Sequence, residues 1–387
     1  MKYHAPVRSR SFLFAVICVC SLALSPDALR AQNSSENLRT YSPKLLRPFW
    51  RGDVVERESV LFVRDSKTGE ARASLLFPIQ DVISIRNAAG DIAYQEGVDF
   101  HFSTGSREIV IAAGSRIVTK TPQDLRRPAK SQKHQLTHRD GNGEILFGAK
   151  LEYHEMQTFV TYATASHDWP VQMPTFDVRV LPRTVQRLRS QKPISVVLLG
   201  DSISTGCNAS GWADGMPYQP PYPTLLQQHL EACYDTRVTL ANLSVSGKAT
   251  PWGLTMIEKV VQQKPDLVIL AFGMNDSAGR SAKEYGRNTA AMISKTRKAL
   301  PNAEFILIAS MLGNRDWVLL KHDVFPLYRD QLAKLCEPGI ALADMTSVWT
   351  EFLKRKKDSD LTGNGVNHPN DFGHRVYAQV ISALLVE

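Results

Sequence analysis

Apolar residues recur with two different periods along this chain. From residue 58 to about 180 they come in short runs: 59–63, 73–77, 82–86, 108–112, 144–147, 158–162 and 176–180. These runs are rich in branched residues and separated by turn chemistry, such as Ala88-Ala-Gly-Asp91 and Thr104-Gly-Ser106. The pattern predicts short strands without long helices, hence a sandwich or jelly roll. Residues 118–143 are polar and read as a long exposed loop, and residues 32–50 as a loose leader.

Beyond residue 192 the period changes. Apolar strands at 196–199, 238–243, 267–272, 305–309 and 340–344 alternate with amphipathic stretches at 224–233, 254–263, 282–299, 324–336 and 372–385. In the last stretch Phe372, Val376 and Val380 fall four apart, as do Tyr377, Ile381 and Leu385, which makes one apolar helical stripe. Strands alternating with helices build a parallel sheet covered on both faces. The basic stretch 183–192 reads as a solvated linker. The expected organisation is a signal at 1–31, a leader at 32–50, a β-sandwich-like domain at 51–182 and an α/β domain at 193–387.

The first thirty residues stand apart. Lys2, Arg8 and Arg10 precede an apolar run at 11–24, and the small Ala31 closes a short polar stretch. This is the layout of a cleaved export signal, and the run is short for a membrane span. A retained anchor is the alternative. Lipid attachment at Cys18 or Cys20 is disfavoured by Ile17 and Val19 just before them. The expectation is an exported protein, periplasmic or extracellular, with no stable membrane association once the signal is removed.

Length and composition fit two globular cores, with 387 residues, 43% hydrophobic and 22% charged. Of the formal net charge of +8, Lys2, Arg8, Arg10 and Arg30, offset by Asp27, lie in the signal. The rest is a mild, dispersed excess without an aromatic-basic cluster, so no nucleic-acid partner is expected. Cys207, Cys233 and Cys336 remain after processing, and an odd count leaves at least one thiol free. A Cys207–Cys233 bridge is left open. No cysteine–histidine spacing suggests a metal site, and no cofactor is expected.

Three strand ends and the segment before the last helix carry the chemistry. The first strand runs into Gly200-Asp-Ser202, the second into Asn242-Leu-Ser-Val-Ser-Gly247, the third into Phe272-Gly-Met-Asn-Asp276. Asn367-His-Pro-Asn-Asp-Phe-Gly-His374 precedes the last helix. Carboxyl ends of strands in one parallel sheet share an edge, so these residues can converge. A serine hydroxyl at 202 needs a base within hydrogen-bond reach, and His368 can take its proton and return it to a leaving alcohol. The oxyanion needs fixed donors, for which the backbone amides of Ser202 and Gly247 and the side-chain amide of Asn275 are candidates. Asp201 and Asp276 read as acceptors for loop amides, and His374 as a helix residue bonded locally. Trp212 and the aromatics and prolines up to Tyr222, with Trp317, suit either a sugar platform or plain loop packing.

Together these blocks resemble the SGNH superfamily, also called GDSL esterases. Its defining residues correspond to Ser202, Gly247, Asn275 and His368, and the resemblance covers residues 193–387. It implies a flavodoxin-like three-layer α/β/α fold and ester hydrolysis through an acyl-enzyme. Relatives with an amino-terminal β-domain and a signal are often carbohydrate O-acetylesterases. The implied substrate is therefore a small-molecule or polysaccharide ester, with a lysophospholipase-like lipid esterase and a degenerate glycan-binding scaffold as alternatives.

One position departs from the family: the aspartate expected three residues before the histidine is Gly365 here. The imidazole then needs another acceptor. The reading favours a backbone carbonyl, as in a Ser–His dyad, with Asp360, Asp358 or Asp371 as alternatives. Asp371 is also expected to cap the final helix together with Asn370.

Overall fold

The computed structural model describes residue 1, residues 37–165 and residues 168–387. The expected export signal, past its first residue, and residues 32–36 of the expected leader lie outside the described residues. Residues 37–50 are not loose: Leu45, Leu46 and Phe49 are buried around the 3-10 turn Pro43–Leu46.

The β-rich region forms two sheets. The first contains β1 (Val54–Val60), β4 (Asp81–Asn87), β5 (Ala93–Tyr94) and β11 (Thr158–Ala163), in the order β1-β11-β4-β5. The second contains β2 (Phe62–Arg64), β3 (Ala71–Ser74), β6 (Phe100–Phe102), β7 (Glu108–Ile111) and β8 (Thr119–Lys120), in the order β6-β7-β3-β2-β8. All pairs are antiparallel except β2 with β8.

Two expectations for this part need correction. Residues 118–143 are not one exposed loop. Thr121 and Asp124 close a capping box on a 3-10 turn, β9 (Arg126–Arg127) pairs with β10 (Glu144–Ile145), and Leu136 is buried. Residues 176–180 are not a strand, and 183–192 is not a bare linker. The chain turns there and enters the helix Pro182–Arg189. Proline suits the first helical turn, and the carboxylate of Glu304 accepts the free amides of Arg183 (3.0 Å) and Thr184 (2.8 Å).

The α/β region is built on five parallel strands: β12 (Ile194–Gly200), β13 (Val238–Asn242), β14 (Leu267–Ala271), β15 (Glu304–Ala309) and β16 (Ile340–Asp344). Their order is β13-β12-β14-β15-β16, the flavodoxin-like arrangement 2-1-3-4-5. Alternation along β12 sends its side chains into two cores. Val196 and Leu198 join Tyr222, Leu226, Val376 and Val380 on one face, and Val197 and Leu199 join Ile257, Val260 and Met292 on the other. Two covered faces explain why the strands read as unbroken apolar runs.

Helix boundaries differ in places from the periodic pattern. The expected single helix over 254–263 is two, Thr250–Thr255 and Ile257–Gln262, with Met256 between them. Met345–Arg355 and Asp358–Leu361 are further helices that the pattern did not reveal. The final helix, Asp371–Ser382, is buried at every position. Its apolar stripe faces the sheet, while its polar side chains are covered by the chain's beginning. Arg375 donates to the carbonyls of Glu56 (3.0 Å) and Arg57 (2.6 Å), and Gln379 to those of Leu45 (3.1 Å) and Arg47 (2.8 Å).

No helix among the described residues is long and apolar enough to cross a membrane.

A buried ion pair ties the β-rich region to the α/β region. Lys356 Nζ donates to Glu58 at 2.5 Å, with both side chains fully out of solvent. Glu58 also accepts from Leu76 N and Tyr162 Oη, and Lys356 donates to Ser74 O. Removing one member of such a pair strands the other charge. Lys356→Ala is therefore expected to lower stability by about 3–5 kcal/mol in urea unfolding followed by fluorescence. A change below ~1 kcal/mol would remove the pair from the forces holding the two regions together.

Candidate active site

The edge where β12 and β14 end is the topological switch point of the sheet, because the strand order reverses between them. Gly200 ends β12 here. A Cβ at this position would stand 2.5 Å from Ala271 O and 2.5 Å from Ser204 Oγ, so only glycine lets the turn close against β14. Asp201 then starts the short helix Ser202–Thr205, accepting the Ile203 amide at 3.0 Å. Ser202 stands at its first position with only 5% of its surface exposed.

His368 meets Ser202 across this edge. Its Nε2 lies 2.9 Å from Ser202 Oγ. Its Nδ1 lies 2.7 Å from Asn208 Oδ1. Asn208 Nδ2 donates to Lys150 O at 3.2 Å and Gly363 O at 3.1 Å, which turns Oδ1 toward the ring. An acceptor facing Nδ1 fixes the proton there and leaves Nε2 as the acceptor for the serine hydroxyl. This is the tautomer that a general base requires.

The residue that orients His368 is thus a side-chain amide. It is neither a backbone carbonyl nor any of the expected aspartates, each of which is bonded elsewhere. Asp360 accepts the amides of Leu61 (2.7 Å) and Lys357 (2.9 Å). Asp358 pairs with Arg315 at 3.2 Å. Asp371 accepts both the amide and the hydroxyl of Ser210, each at 2.7 Å. Asn370 alone caps the final helix with its side chain, accepting from Gly373 N at 3.0 Å. Asn208 lies six residues past Ser202, in the left-handed region at φ 67°. Its type and its proximity to Ser202 were the available signals, but which loop residue returns to the histidine depends on the turn geometry between them.

Among the described residues no carboxylate is bonded to the ring, and burial favours the neutral imidazole. Burial first, then the nearby His374, lowers the His368 pKa to about 3. His374 is bonded locally, as expected for a helix residue: Nε2 donates to Cys207 O at 3.2 Å, and burial lowers its pKa to about 4. Asp201 is pushed up to about 7, chiefly by burial.

The expected oxyanion donors lie around Ser202, with different degrees of freedom. The amides of Ser202 and Gly247 donate to no acceptor among the described residues. Gly247 has φ 76°, and a Cβ there would meet nothing within 4 Å, so its amide stands open on an exposed turn. That turn is drawn to the Ser202 loop by Val245 N to Gly200 O (3.2 Å) and by Ser246 Oγ, 3.4 Å from Thr205 Oγ1. Asn275 Nδ2 donates to Lys248 O at 3.0 Å and only weakly, at 3.4 Å, to Asp201 Oδ2. One of its hydrogens is therefore loosely held. Asp276 is bonded to Thr250 N and Oγ1, so it holds the neighbouring loop.

The other expected features divide. Cys207 is buried, Cys233 and Cys336 are exposed, and all three are free thiols, so there is no Cys207–Cys233 bridge. Trp212 is 45% exposed, beside Gly206. Trp317 instead packs with Leu136, Ile145 and Val366, which is loop packing. No group of three or more metal-ligating side chains occurs among the described residues.

Residues 198–376 match the GDSL-like lipase/acylhydrolase family. No curated protein matches the chain by sequence. Among solved structures, the chain is similar to a two-domain esterase active on acetylated mannans, with 18% identity over 54% of this chain and 53% of that one, TM-score 0.44. It is also similar to a lipase from a goat rumen metagenome (17% identity, 50% and 99% covered, TM-score 0.41). A third is the psychrotrophic esterase EstA from Pseudoalteromonas (19% identity, 49% and 94% covered, TM-score 0.36). The chain thus spans about half the length of the two-domain esterase that it matches. Residues 198–376 thus carry a GDSL-like lipase/acylhydrolase domain, the domain of a carboxylic ester hydrolase.

Proposed function

We propose that this protein is an exported serine esterase that removes short acyl groups, acetyl above all, from a carbohydrate. The observation that carries the reading is the chain Ser202 Oγ, His368 Nε2, His368 Nδ1, Asn208 Oδ1, with steps of 2.9 and 2.7 Å. Ser202 Oγ attacks the ester carbonyl while its proton passes to His368 Nε2. The negative oxygen is held by the amides of Ser202 and Gly247 and by Asn275 Nδ2. The imidazolium then protonates the departing sugar oxygen as the carbon–oxygen bond breaks, leaving an acetyl-serine. Water, deprotonated by His368, releases acetate and restores the hydroxyl.

An amide in the third position is compatible with this chemistry. Where asparagine replaces the orienting aspartate of a serine triad, most of the loss comes from the wrong histidine tautomer. Here the two carbonyls on Asn208 Nδ2 enforce the right one. The surroundings support a short acyl group and a bulky alcohol. Thr205, Ser246 and Asn275 are polar neighbours of the nucleophile, and the rim is open at Trp212 (45% exposed) and Val245 (41%). Export rests on the basic-apolar opening segment.

Ser202→Ala and His368→Ala are expected to lower kcat for p-nitrophenyl acetate at least ~10³-fold, and Asn208→Ala about 10²-fold with KM nearly unchanged. Turnover should fall steeply from acetate to octanoate esters, and purified enzyme should release acetate from acetylated glycans. Unchanged turnover in Ser202→Ala overturns the serine mechanism, and a preference for long chains overturns the carbohydrate assignment.

The pH profile is a further check. A base with a lowered pKa stays competent until the pH falls to that pKa. The acid limb of kcat/KM should therefore lie well below pH 6.5, toward about 3. A limb centred near 6.5 contradicts the uncharged orientation of His368.

A further inference from the structure

Asn208 takes part of its orientation from outside the α/β region. Residues 146–154, from the β-rich region, run between the loop that follows the nucleophile and the loop that carries His368. On the first side, Lys150 O accepts from Asn208 Nδ2 at 3.2 Å, and His154 Nε2 donates to Met216 O at 3.1 Å. Leu151 Cδ1 fills the space beside Gly215, standing 2.0 Å from where a Cβ would be. On the second side, Gly148 N donates to Asn364 O at 3.0 Å. Leu146 O and the Tyr153 ring stand 2.4 and 2.8 Å from the Cβ position of Gly365. Lys150 itself is in the left-handed region at φ 47°, so its carbonyl is aimed by a turn.

We propose that residues 148–154 are a positioning clamp for the hydrolytic site, in which the Lys150 carbonyl holds Asn208 and, through it, the His368 ring. A primary amide can turn over and exchange its oxygen and nitrogen. With carbonyls on both hydrogens of Nδ2, the turned-over amide would face oxygen against two oxygens and N–H against the imidazole N–H. Gly363 O alone supplies only one of these two acceptors. Without the second, the amide is freer to turn and to present the wrong group to Nδ1. Lys150 is thus a positioning residue through its backbone, and Leu151, wedged at Gly215, seats it. The β-rich region completes the site as well as covering it.

This inference rests on the ester-hydrolase reading. It is tested by a double-mutant cycle in the full chain, with p-nitrophenyl acetate as substrate and thermal melting as a check on folding. Leu151→Ala is expected to lower kcat ~10-fold with KM within about twofold, and Leu151→Met to restore most of it. In an Asn208→Ala background, Leu151→Ala should lower kcat by less than ~2-fold, because the clamp acts through Asn208 alone. Gly215→Ala, which pushes Leu151 from the opposite side, should show the same dependence on Asn208. Multiplicative effects at 151 and 208, or unchanged kcat in folded Leu151→Ala, overturn the clamp while leaving the hydrolase reading intact. Unchanged turnover in Ser202→Ala overturns both.

Discussion

A histidine enclosed at a sheet edge needs a partner for each ring nitrogen, because a buried polar atom left unpaired is expensive. His368 meets this constraint with a hydroxyl on one side and an amide oxygen on the other. The pairing is what gives the site direction: it sets the tautomer and aims Nε2 at Ser202, while burial keeps the ring neutral. A carboxylate in place of the amide would have raised the imidazole's pKa by its charge. The amide offers the same geometry without that charge, and here its own hydrogens are fixed by backbone carbonyls.

The carboxylates around the site hold loops. Asp201 caps the turn at Ser202, Asp276 binds the Thr250 amide and hydroxyl, and Asp371 grips Ser210. The last of these ties the final helix to the loop that follows Ser202. Ser210 Oγ accepts from Gln219 N, and Gln219 in turn donates to Asp371 O and accepts from Arg375. The loop bearing Asn208 is therefore pinned to the same helix that begins three residues after His368. Glycines complete the fit, since a Cβ at Gly363 would stand 2.6 Å from Asn208 Cβ.

The β-rich region and the α/β region are joined by polar contacts as much as by apolar ones. The buried Glu58–Lys356 pair, the carbonyls that receive Arg375 and Gln379, and the Lys150 carbonyl on Asn208 all cross between them. Each leaves an unpaired buried group if the regions part. Such a boundary favours one fixed arrangement over a loose tether.

Much of this was legible in the residue pattern. Continuous apolar strands alternating with helical stripes specify a parallel sheet covered on both faces, because period and burial are local properties. The pattern also marks the three strand ends near which Ser202, Gly247 and Asn275 lie, and the segment before the last helix that carries His368. Three things were not legible. The chain beginning at residue 37 and the helix Pro182–Arg189 gain order from partners far along the sequence, such as Gln379 and Glu304. The final helix carries one apolar stripe yet is buried all round, because Arg375 and Gln379 find backbone carbonyls from the other region. The partner of His368 is an asparagine 160 positions earlier. A sequence announces which residue types can do the chemistry, but the aim of a single amide depends on what its other end touches, and that is decided only when distant segments pack.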